Sequence, residues 1–161
     1  MLSFANISRC QIRKLETPAR GFIRNLHRGP IPVSWKRPRI GWTKLNFDGS
    51  CKGKAGEASI GGLFRNHEAE FLLGYAESIG RTTSTVAELA ALRRGLELVL
   101  ENGWSNVWLE GDSKEGNRAA DKLASIGHQL QKPKIWRHIP PDDILQIVEE
   151  DAKGKIVFRR R

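Results

Sequence analysis

Acid is almost missing from the leading part of this 161-residue chain: positions 1–44 hold ten Lys or Arg against the single acid Glu16. The remainder holds 17 residues of each sign, so the formal net charge of +9 lies wholly in that leading segment. A neutral remainder has to draw any affinity for phosphate from local clusters such as Lys52 with Lys54, or from the basic segment. Arg93 and Arg94 read first as a solvated helix face. Cysteine is also scarce. Cys10 and Cys51 by themselves exclude a disulfide framework or a cysteine-rich zinc site, which makes a reducing compartment the expectation. No apolar run approaches the roughly 20 residues of a membrane-spanning helix, so no membrane partner is expected. There is no internal repeat, and 39% hydrophobic with 28% charged content fits one soluble domain with extensions.

What is present begins with Arg9, Arg13, Lys14, Arg20, Arg24 and Arg28 among hydroxyl residues. That composition suits an organelle transit peptide, a disordered basic arm or a flank without a role. The implied location is intracellular, in the nucleus or in an organelle. Pro30, Pro32 and Pro38 then mark an extended linker, so residues 1–38 are expected to be irregular. The chain divides into an arm over 1–40, a domain over 41–131, and a C-terminal helix with a basic tail over 132–161.

In the domain, Leu45 and Phe47 alternate with Asn46 and Asp48, the period of a strand with one apolar face, and Gly49-Ser50 closes it. A second strand runs around Ser59–Phe64 and a third over Glu70–Ala76, making an antiparallel meander. Gly61 and Gly62 signal a bulge or a close backbone approach. A helix follows from Val86 to about Glu101. Thr85-Val86-Ala87-Glu88 has the form of a capping box, Leu89, Leu92, Leu96, Val99 and Leu100 keep helical spacing, and Asn102-Gly103 is a stop. Asn106–Glu110 is a short strand reached through that helix, hence parallel to its neighbour. Helices are expected over Arg118–Ile126 and Asp142–Ala152, the latter with Ile144, Ile147 and Val148 as its buried stripe. The fold class is α/β: a mixed sheet of three antiparallel strands plus one parallel strand, with packing helices.

A lone Asp before Gly is ordinary turn chemistry. Asp48 gains weight because Glu88 begins a helix, Asp112 follows the parallel strand, and Asp121 lies in a later helix. Four carboxylates brought to one sheet edge suit a hard divalent cation, Mg²⁺ or Mn²⁺, and phosphodiester hydrolysis. The bland reading of Glu88 is a cap.

Four blocks then occur in order: Lys44-Leu45-Asn46-Phe47-Asp48-Gly49-Ser50, Thr85-Val86-Ala87-Glu88-Leu89-Ala90-Ala91-Leu92, Glu110-Gly111-Asp112-Ser113, and Glu115-Gly116-Asn117-Arg118-Ala119-Ala120-Asp121-Lys122-Leu123-Ala124. Together they closely resemble the type 1 ribonuclease H domain, above all that of plant non-LTR retroelements and their host-encoded relatives, over roughly Trp42 to Gln131. The resemblance implies a ribonuclease H-like sheet and an RNA:DNA hybrid endonuclease, with Asp48, Glu88, Asp112 and Asp121 as metal-binding and catalytic carboxylates. It also implies nucleic-acid contacts at Gly49, Ser50, Lys52, Lys54 and Ser113.

The chain departs from the family in two places. Lys54-Ala55-Gly56 stands where the family tends to have Asn-Pro-Gly. Between Lys114 and Glu115 the family has several tens of residues, including a helix, an edge strand and a histidine-bearing loop. None of His27, His67, His128 and His138 falls at that histidine's place in the chain order. The missing edge strand leaves Asn106–Glu110 bare, so the tail Lys155–Arg159 is expected to cover it, with homodimer pairing as the alternative. Across the short junction Asp121 is expected to be carried roughly 7 Å along its helix axis and to miss the cluster, leaving hybrid cleavage weak or absent. A non-catalytic nucleic-acid-binding or interaction remnant of a retroelement is the competing reading, and a relic without specific function is the third.

Overall fold

A computed structural model describes residues 31–111 and 116–159 of the chain. Residues 1–30 of the arm expected over 1–40 lie outside the described residues.

The antiparallel meander consists of β2 (Thr43–Cys51), β3 (Gly56–Arg65) and β4 (Phe71–Thr82). Helix α1 (Ser84–Glu101) then leads to β5 (Val107–Gly111), which lies parallel to β2, as a strand, helix, strand crossover requires. After α2 (Arg118–Gly127) the chain adds a strand that the sequence reading did not assign, β6 (Lys134–Arg137), antiparallel to the free side of β4. Among the described residues the result is a five-stranded mixed sheet of order β5-β2-β3-β4-β6. The four expected strands are there, and β6 is the addition.

The two faces of the sheet carry separate cores. Leu45, Ile60, Phe64, Leu73, Tyr75 and Leu109 pack under α1 with Ala91 and Leu98. Leu63 and Phe71 pack on the other face with Ala119, Ala120 and Leu123 of α2 and with Ile144 and Val148 of α3 (Asp142–Ala152). Both glycines of β3 mark close approaches. A Cβ on Gly61 would lie 2.1 Å from the Ala124 backbone nitrogen, and one on Gly62 would lie 2.5 Å from the Tyr75 ring. Register shifts fall elsewhere, at Ala58/Ser59 and Phe64/Arg65.

The alternate residues of β2 are not a solvent-facing side. Lys44 and Asn46 are both 0% exposed. Trp35, from the proline-bearing linker, is buried beside them and donates Nε1 to Asn46 Oδ1 at 2.9 Å. The same oxygen accepts from Arg65 Nη2 at 3.0 Å, and Asn46 Nδ2 donates to Glu110 Oε2 at 2.8 Å. Lys44 pairs with Glu110 at 2.6 Å, and Arg65 pairs with Asp151 of α3 at 2.7 Å. Burial pushes the pKa of both cations down, against the pull of their carboxylate partners.

The linker and tail depart from expectation together. Ile31–Val33 forms β1, and it pairs antiparallel with β7 (Val157–Arg159). The tail therefore does not cover β5. The physical reason is the position of α3: Arg37 Nη2 donates to the Ala152 carbonyl at 2.7 Å, tying the linker to the helix end from which the tail departs. Lys155, with help from Arg118, holds the Glu150 carboxyl down at about 2. Among the described residues β5 has β2 as its one strand partner.

Arg93 and Arg94 belong to a solvated helix face, as expected. Arg93 pairs with Glu97, and Arg94 with Glu97 and Glu101.

Candidate active site

Asp48 lies near the carboxyl end of β2, half-buried, with Oδ1 accepting the Gly49 N–H at 3.0 Å. Gly49 supplies the geometry that brings in α1. A Cβ there would stand 2.3 Å from both Ala87 C and Glu88 N, so only glycine lets the strand end touch the helix backbone at Glu88. The capping frame differs from the one the sequence suggested. Thr83 is the N-cap and accepts from the Val86 N–H, which puts Glu88 beyond the first turn, where it caps nothing. Replacing Thr83 with Ala should therefore cost about 1 kcal/mol, whereas Glu88→Gln should leave stability within about 0.5 kcal/mol. Urea melts check this, and a loss at Glu88 as large as at Thr83 would restore the capping role. Leu89, one of the apolar residues at helical spacing, is 61% exposed.

The last residue pair joining β2 to β5 is Phe47 with Gly111, the residues that precede Asp48 and Asp112. Asp112 and Ser113 lie outside the described residues.

Helix α2 does not continue away from the sheet. It folds back across the face opposite α1, and Gly61, the cross-strand partner of Asp48, lies directly beneath Leu123 and Ala124. Asn117 Nδ2 donates to the Phe47 carbonyl at 2.9 Å, and His128 Nε2 lies 2.9 Å from Ser50 Oγ. Asn117, Asp121 and His128 fall within about 40° of one another around the helix. Both ends of α2 are thus bonded to β2, and Asp121, in its first turn, is exposed. The expected displacement of Asp121 assumed a helix leaving the site, and that assumption does not hold. Among the described residues, however, no three His, Cys, Asp or Glu side chains are close enough to hold a cation.

Lys52 and Lys54 are exposed in the turn between β2 and β3, and Lys52 stands 3.7 Å from Glu57. Sequence reasoning missed Asn117 and His128. The signal was available for His128, which lies seven residues, close to two helical turns, beyond Asp121.

The chain is similar to known proteins. A family model described as reverse transcriptase-like matches residues 46–132. An Arabidopsis thaliana protein named "Putative ribonuclease H protein" is 37% identical over 168 residues, covering 80% of this chain and 27% of its own length. Ribonuclease HI of Halobacterium salinarum is 32% identical over 76 residues, covering 47% of this chain and 38% of its own. The solved structure of RNase H1 from Halobacterium salinarum aligns with a TM-score of 0.43 at 24% identity, over 70% of this chain and 74% of that one. The chain thus spans between about a quarter and two-fifths of the length of these curated relatives. The Arabidopsis alignment runs over 168 positions, more than the 161 residues available, so the relative carries residues that this chain lacks. With more than half of its length matched by the family model, the chain belongs to the reverse transcriptase-like family and carries a ribonuclease H-like domain.

Proposed function

We propose that this chain is a ribonuclease acting on RNA:DNA hybrids, hydrolysing phosphodiester bonds at a site formed by Asp48, Glu88, Asp112 and Asp121. The observation that carries the reading is the contact of Gly49 with the α1 backbone at Ala87 and Glu88, at the level where β5 ends opposite Phe47. It joins the strand end bearing Asp48 to the helix bearing Glu88, and it supports Asp112, next after Gly111, as the third member.

The donor chemistry fits a hard divalent cation, Mg²⁺ or Mn²⁺: the candidate ligands are carboxylates, and Glu88 is not used up by the helix cap. When bound, such a cation polarises the phosphodiester and lowers the pKa of a hydrolytic water. The chain's own residues supply position. Asn117 ties the start of α2, and with it the turn that bears Asp121, to β2. Lys52 and Lys54, in the adjoining turn, attract backbone phosphate, and Gly49 and Ser50 adjoin the same path.

The test is cleavage of an RNA:DNA hybrid beside duplex DNA, with and without magnesium or manganese. Hybrid-selective, metal-dependent cleavage is expected, falling by at least about 100-fold in Asp48→Asn, the upper range for losing a group that only supports a ligand. Cleavage unaffected by Asp48→Asn would refute the assignment. A non-catalytic nucleic-acid-binding form is the second reading, favoured by the residues that the Arabidopsis relative has and this chain lacks. Salt-sensitive hybrid binding without cleavage would select it.

A further inference from the structure

We propose that His128 is a positioning residue that holds the Ser50 hydroxyl toward a backbone phosphate of the bound nucleic acid. The inference rests on the reading of the site as one that takes nucleic acid, and it adds a residue that chain order alone would not place there.

Ser50 lies two residues beyond Asp48 on β2, so both side chains leave the same face of the sheet, about 6.6 Å apart along the strand. That face is the one α2 covers, and His128, the residue that ends α2, reaches it with Nε2 at 2.9 Å from Ser50 Oγ. The contact is part-buried and joins elements 78 residues apart in sequence, so it needs the fold-back of α2 over the sheet. The two charged groups that act on the ring are Lys52 and Glu57, at the two ends of the turn between β2 and β3. Burial and Lys52 push the imidazole pKa down, so the ring is neutral near pH 7.

A neutral ring has two ways to meet a hydroxyl. If Nε2 is bare it accepts the Ser50 proton, and Ser50 then offers only lone pairs. If Nε2 carries the proton it donates to Oγ, and the Ser50 O–H is free to donate outward. A phosphate oxygen is an acceptor, so a bound phosphate selects the second arrangement. His128 then fixes the direction of a donor whose target is negatively charged, and Lys52 adds attraction at the same place. His128 does not touch the reacting atoms in this scheme; it acts through Ser50.

The experiment measures hybrid affinity by fluorescence anisotropy in EDTA, together with KM and kcat in magnesium. Wild type is compared with His128→Ala, His128→Gln, Ser50→Ala and the Ser50→Ala/His128→Ala double variant. Loss of one such oriented hydrogen bond should raise Kd and KM by about 3- to 10-fold, exceeding any fall in kcat. His128→Gln, which keeps an N–H donor at similar reach, should recover most of the affinity. In the Ser50→Ala background, His128→Ala should change Kd by less than about twofold.

Wild-type affinity in His128→Ala would overturn the inference, as would a His128→Ala loss undiminished in the Ser50→Ala background. A wild-type chain that binds the hybrid without cutting it defeats the hydrolase reading alone, because the EDTA measurement reads His128 without turnover. Intact cleavage with uncoupled variants defeats the inference alone.

Discussion

Replacing Asp151 with Ala is expected to destabilise the protein by about 3–5 kcal/mol, the cost of leaving a buried charge without its partner. Arg65 is 0% exposed and Asp151 5% exposed, so water cannot take over the carboxylate's role at the guanidinium. The 2.7 Å pair also joins β3 to α3, whose Ile144 and Val148 close the second core. For a domain of this size each kcal/mol lowers the melting temperature by roughly 2–4 °C, so a fall of about 6–20 °C should appear in a thermal melt. The control is Asp143→Ala, which breaks the exposed 3.8 Å pair with Lys122 and should cost no more than about 1 kcal/mol. Similar small losses at both positions would show that the Arg65 pair is solvated in solution. Replacing Arg65 and Asp151 together with apolar residues of similar volume should recover most of the loss, since the penalty lies in the orphaned charge rather than in the absent pair.

Magnesium should raise the melting temperature of the wild-type chain and fail to do so in Asp48→Asn. A cation that binds only the folded state stabilises it by about 2.7 kcal/mol at 100 times its Kd, or roughly 5–11 °C here. The folded state is needed because the candidate ligands come from β2, α1, α2 and the segment after β5, which an unfolded chain does not bring together. Comparing Asp48→Asn with Asp121→Asn separates two geometries. If both abolish the shift, the stripe of α2 that faces β2 delivers Asp121 to the cation. If only Asp48→Asn does, Asp121 stays outside, as the shortened junction first suggested. An equal magnesium shift in wild type and Asp48→Asn would remove Asp48 from the ligand set.

Much of the fold could be read from local pattern. The meander, the parallel β5 and the three described helices were indicated by apolar periodicity and by stops such as Asn102-Gly103; the helix and β5 bounds lie close to those expected, while β4 runs to Thr82, well past the expected Ala76. Such features report on residues close in sequence, where period and turn chemistry act directly. The four ordered blocks marked the family for the same reason, and the family model covers residues 46–132.

Where local pattern failed, the missing information came from a distant partner. Alternation in β2 suggested one buried face, yet Lys44 and Asn46 are enclosed because Trp35, Glu110, Arg65 and Asp151 arrive from four other segments. Lys134-Ile135-Trp136-Arg137 is too short to announce a strand and becomes one by lying along the edge of β4. The apolar tail showed strand propensity but not which edge it would meet, and it chose β1 over β5.

The sequence by itself determined the order of elements from β2 to α2, the residue types at the strand and helix ends, and the presence of four carboxylates in family order. Only the tertiary structure decided that Thr83 caps α1 and leaves Glu88 outside the cap, that α2 returns across the sheet with both its ends bonded to β2, and that His128 reaches Ser50. Capping is chosen among neighbouring hydroxyls by the backbone geometry at the helix entry. The direction of α2 is set by the burial of Ala119, Ala120, Leu123 and Ala124 against the sheet, with Gly61 leaving room for the helix backbone. Neither is encoded at the positions it affects, because each depends on a surface that exists only after the strands have paired.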